Sequence, residues 1–96
     1  MEKETYTSNQ GLVKELDRIA RAIKEKYGIS VWFAEILGRR RSYIAGETEE
    51  EISFLPPTEV KVTPTLALLT HGWEKLKEGE RSVILSSIRE ILKLHR

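Results

Sequence analysis

The chain has 96 residues and no cysteine, which excludes a disulfide framework, a thiolate metal site and a cysteine nucleophile. Its 16 basic and 15 acidic residues leave a net charge of +1, too even a balance to draw the whole molecule to nucleic acid or an anionic membrane. The length suits one domain with one modest core, and no apolar run approaches the ~20 residues that span a bilayer.

Residues Met1–Gln10 are polar, so no secretory signal is expected there, residues 1–7 are expected to fray, and the expected location is cytoplasmic. Thr7 with Gln10 fits a capping box, and Ser8 and Asn9 are alternative caps. A helix follows to about Tyr27, with Leu12, Leu16, Ile19, Ile23 and Tyr27 on one face and Gly28 placed for a left-handed C-cap. Lys14, Arg18 and Arg21 line its opposite face. A charged outer face is what a solvated helix carries, and the same residues would also make a phosphate-contacting stripe.

The stretch V-W-F-A-E-I-L-G-R-R-R-S-Y-I-A-G, residues 31–46, is the centre of the chain. Strand formers interrupted by a Gly-led polar cluster predict a β-hairpin with a basic tip. With the turn at Gly38-Arg39, Ile36 lies opposite Arg41 and Ala34 opposite Tyr43. One face then carries Trp32, Ala34, Ile36, Tyr43 and Ala45; the other carries Val31, Phe33, Leu37 and Ile44, with Glu35 and Ser42 among them. Both faces are largely apolar, so one packs on the domain's helices and the other on something else.

An acidic run, Glu47 with Glu49, Glu50 and Glu51, follows as a solvated loop or a complement to the three arginines. Residues Glu51–Leu55 and Glu59–Thr63 alternate apolar and polar, which predicts two further strands separated by Pro56-Pro57. Pro64 can open a helix in which Leu66, Leu69, Trp73 and Leu76 recur at helical spacing, ending at Gly79. The last helix runs from Glu80 to about Leu94 and buries Ile84, Leu85, Ile88, Ile91 and Leu92. The expected architecture is a single α+β domain over 1–96, in the order α-β-β-β-β-α-α. A small antiparallel sheet of about four strands is packed by an N-terminal helix and a C-terminal pair of helices. The helix–strand–helix order is similar to that of double-stranded-RNA-binding domains. That family's basic cluster at the start of its last helix is missing here, where the segment opens T-P-T-L-A-L-L, and the resemblance is rejected.

No constellation of catalytic groups stands out. There is no Gly-rich phosphate loop, no G-x-S-x-G, and no spacing of His71, His95 or the carboxylates that suits a metal, so neither enzyme activity nor a cofactor is expected. The leading expectation is a non-enzymatic interaction or regulatory module, homodimeric or bound to a partner, with Trp32, Tyr43, Trp73, Ile88 and Ile91 as interface candidates. The second is nucleic-acid binding through Arg39, Arg40 and Arg41, backed by Lys14, Arg18 and Arg21. The third is a small-molecule sensor or enzyme built on Glu35, whose neighbours along the strand are apolar. Against that third reading, a lone strand carboxylate is more often paired with an arginine or the Tyr43 hydroxyl.

Overall fold

The computed structural model describes residues 9–47 and 56–95. Its elements follow the expected order: helix α1 (Gln10–Tyr27), strands β1 (Val31–Leu37), β2 (Arg40–Gly46), β3 (Thr58–Thr63) and β4 (Leu66–Thr70), a 3-10 turn over Trp73–Lys75, and helix α2 (Glu78–Leu94). The expected strand over residues 51–55 lies outside the described residues.

Local chemistry sets the ends of α1. Asn9 caps it, its side chain accepting the Leu12 N–H at 3.1 Å. Gly28, at φ 74°, ends it and donates its N–H to the Lys24 carbonyl. The β1–β2 turn is Gly38-Arg39, and it brings Ile36 opposite Arg41 and Ala34 opposite Tyr43, as expected. A bulge then intervenes: Ala45 pairs with Phe33 and Tyr43 with Ala34, leaving Ile44 as the extra residue. Ala45 therefore moves to the helix-facing side and joins Ile44 in the core, a correction to the face expected for it.

The larger correction falls on residues 64–76. Leu66–Thr70 is a strand, not a helix, and Pro64-Thr65 is the turn of a second hairpin. The Thr63 hydroxyl closes that turn by accepting the N–H groups of Thr65 (3.2 Å) and Leu66 (3.0 Å). The sheet order is β2-β1-β4-β3, every neighbour antiparallel, so β4 is central. β4 is flanked by strands on both edges and carries apolar residues on both faces, so L-A-L-L-T lacks the alternation that marks a half-solvated strand. Gly72, at φ 99°, turns the chain into the 3-10 segment, and Gly79 lies in the first turn of α2 rather than closing a helix before it.

Both helices pack on one face of the sheet: α1 on β1 and β2, α2 on α1 and β3. The core between these layers includes Leu16, Val31, Phe33, Leu66, Leu68 and Ile88, all essentially inaccessible to solvent. Each such side chain contributes roughly 1.5–3 kcal/mol through burial. Thr70 is buried with them, its hydroxyl satisfied by the Ser30 carbonyl at 2.8 Å. Among the described residues no helix is long and apolar enough to cross a membrane.

Candidate functional site: the open sheet face

Side chains alternate across a strand, so the residues between the core positions point away from the helices. Strand pairing arranges them in rows. One row runs Glu59, Leu69, Trp32 from β3 to β1. The next runs Lys61, Ala67, Ala34, Tyr43 across all four strands. A third holds Ile36 and Arg41. No described helix covers this side.

Ala34 is 3% exposed and Ala67 0%, although both face away from the helices. They form a floor overhung by taller neighbours. Among these neighbours, the Arg41 guanidinium bonds the Glu59 carboxylate through both Nε and Nη2. Arg41 stands on β2 and Glu59 on β3, the two outer strands, so the pair straps the sheet across β1 and β4. Arg41 also donates to the Gly38 carbonyl at 3.0 Å, which fixes the strap to the hairpin turn. The hydrogen bond from Arg41, with the charges of Arg41 and Lys61, holds the Glu59 carboxyl below its usual range. The same bond raises the already high Arg41 pKa.

Trp32 and Tyr43 both stand on this face. Trp32 is half-buried, with the His71 ring 5.9 Å from its own and tilted by 45°. Tyr43 is 52% exposed; its hydroxyl donates to the Gly46 carbonyl. Burial, followed by the charges of Asp17 and Glu47, pushes the Tyr43 phenol above its ordinary pKa.

The remaining interface candidates lie elsewhere. Ile88 is 0% exposed in the chain's own core, which removes it as an interface residue. Trp73 and Ile91 are half-buried against that core, and Arg81 lies 5.9 Å over the Trp73 ring while bonding its carbonyl.

The cationic candidates do not form one surface. Arg39 and Arg40 are exposed at the hairpin tip, while Arg41 is engaged by Glu59 rather than by the acidic run. Of that run, Glu47 pairs with Lys24 at 3.2 Å; residues 48–51 lie outside the described residues. Lys14, Arg18 and Arg21 flank Asp17, whose carboxylate accepts the Gly46 N–H at 2.7 Å. Gly46 is six residues along β2 from Arg40, about 20 Å of strand, so Asp17 and its neighbours sit towards the opposite end of the hairpin from the tip. Arg18 is also paired with Glu15.

Glu35 is 4% exposed and lies opposite Leu66 and Ser42, within the helix-facing rows. Among the described residues no group of three or more histidines and carboxylates is placed to hold a metal ion. Sequence reasoning assigned Trp32 and Tyr43 to one face but missed Ala67, Leu69 and His71 beside them. Their signal was hidden in the segment read as a helix. Comparison with known proteins finds no match: no family model fits the chain, no curated protein matches it, and no solved structure matches it.

Proposed function

We propose that the protein is a non-enzymatic interaction module that works through the sheet face opposite its helices, chiefly by homodimerisation. One observation carries this reading: Trp32, Ile36, Tyr43 and Leu69 surround an alanine floor on a side that no described helix covers. A two-layer domain that meets only water on its second sheet face presents polar residues there, and an apolar one marks a contact surface.

Light-scattering mass at rising protein concentration tests it. The wild type should gain mass towards a dimer. Tyr43→Lys should weaken association about tenfold or more and leave the fold intact, because Tyr43 is 52% exposed. A wild-type mass that stays monomeric at every concentration rejects the reading. Short DNA or RNA at low salt supplies a second arm. A mass gain that requires nucleic acid and disappears as salt rises would assign the function to Arg39 and Arg40 at the tip instead.

A further inference from the structure

The pattern of charge on the open face identifies what covers it. The apolar residues Trp32, Ala34, Ile36, Ala67 and Leu69 stand on the two central strands, β1 and β4. Charge stands on the outer strands and differs between them: Arg41 on β2, Glu59 and Lys61 on β3. A face of this kind is complementary to itself in only one of the two simple stackings. A twofold axis across the strands lays β2 on β2 and β3 on β3, which lets Glu59 and Lys61 match on β3 but sets the Arg41 edge against its own copy. A twofold axis along the strands, between β1 and β4, lays β2 of one copy on β3 of the other. Arg41 then faces the edge that holds Glu59. Lys61 and Tyr43 share a row, so each Lys61 meets a Tyr43 ring. Trp32 meets Leu69, and Ala34 meets Ala67.

We propose that this face pairs with the same face of a second copy about a twofold axis parallel to the strands. The Arg41–Glu59 pair, closed within the free chain, opens and re-forms twice between chains. This rests on the reading of the open face as the interaction surface. The reach is available: Arg41 stands two rows, about 13 Å, along the strands from Glu59 both within and between chains, and the gap across falls from three strand spacings, about 14 Å, within one chain to the roughly 10 Å between stacked sheets. Exchange also uncovers the alanine floor, so the floors of the two copies can meet across the axis. The partner is a second copy rather than an unrelated protein because Lys61 and Tyr43, Trp32 and Leu69, and the edges that hold Arg41 and Glu59 complement one another on the same face.

The size of the face sets the affinity. Four strands at about 4.8 Å spacing and some five residues at about 3.3 Å give a footprint of roughly 320 Å² per copy. Stable complexes bury about 800 Å² per partner, so the dimer is weak, micromolar or looser, and concentration-dependent.

Charge exchange between variants tests the arrangement. Arg41→Glu and Glu59→Arg are prepared separately and their sedimentation is followed alone and as an equimolar mixture. Alone, each places like charges across the interface and should associate at least about tenfold more weakly than wild type. Mixed, the two should form a heterodimer, because both pairs are then restored between chains. The double variant R41E/E59R should dimerise like wild type. A milder set guards against loss of fold: Arg41→Gln mixed with Glu59→Gln keeps one intermolecular pair and should associate more tightly than either variant alone. The proposal is overturned if both mixtures stay monomeric while the wild type dimerises and Tyr43→Lys weakens it. In that case the open face remains the surface and the twofold pairing is wrong. A wild type that never dimerises rejects both.

Discussion

Gly46 carries three roles in one residue. Its N–H binds the Asp17 carboxylate on α1, and its carbonyl accepts the Tyr43 hydroxyl on its own strand. Its backbone sits against β1: a Cβ added there would lie 2.6 Å from the Trp32 Cα and 2.7 Å from the Val31 carbonyl oxygen. With φ at 103°, the position is also strained for any side chain. Gly46→Ala must therefore push β2 off β1 at the base of the open face, at a cost of about 3 kcal/mol or more. Urea unfolding should show a lower midpoint at an unchanged slope. A change under about 0.5 kcal/mol would show that the strands do not approach as described. Gly38 is the contrast: its φ is 63°, yet nothing lies within 4 Å of a Cβ there. Gly38→Ala pays only for the left-handed backbone, roughly 1–2 kcal/mol. The sequence displays both glycines alike. Only the Asp17 contact, 29 positions away, and the crossing of Trp32 separate them.

The elements were legible where local chemistry and tertiary environment agree. α1 announces itself by Leu12, Leu16 and Ile23 at helical spacing and by Gly28 at its end, while its cap is Asn9, the alternative to the Thr7–Gln10 capping box, whose Thr7 lies outside the described residues. The β1–β2 hairpin does so by its strand formers around Gly38. β4 was not legible, because its environment is set by β1 and β3, the strands that flank it. The two readings of residues 66–70 make opposite demands on neighbouring leucines. A helix places Leu66 and Leu69 on one face, whereas the strand sends Leu66 and Leu68 into the core and Leu69 to the open side. Leu68 is 0% exposed, so Leu68→Ala should cost about 2–5 kcal/mol. Leu69 is half-buried, and Leu69→Ala should cost clearly less in stability while weakening any dimer formed through the open face. Paired unfolding measurements decide this, and a Leu69→Ala loss equal to or above that of Leu68→Ala would contradict the strand register.

At the scale of the molecule, the Arg41–Glu59 pair joins residues 18 positions apart and ties the two outer described strands of the sheet together. No sequence spacing announces such a link. Glu59 reads as an ordinary outward residue of an alternating strand, and Arg41 as one of three tip arginines. Its consequence is a dependence on acidity. The folded chain holds the Glu59 carboxyl below its ordinary value of 4.5, because the charged form is the one Arg41 binds. The unfolded chain lacks that partner and takes up the proton at higher pH. The pair's contribution is therefore complete above about pH 4.5 and is lost as pH falls through the lower, folded value. Glu59→Gln removes the titration. Its melting temperature should lie below wild type at neutral pH, and the two curves should converge as pH falls through the lowered, folded value. If the curves ran parallel from pH 7 to pH 3, the strap would contribute nothing that depends on its charge.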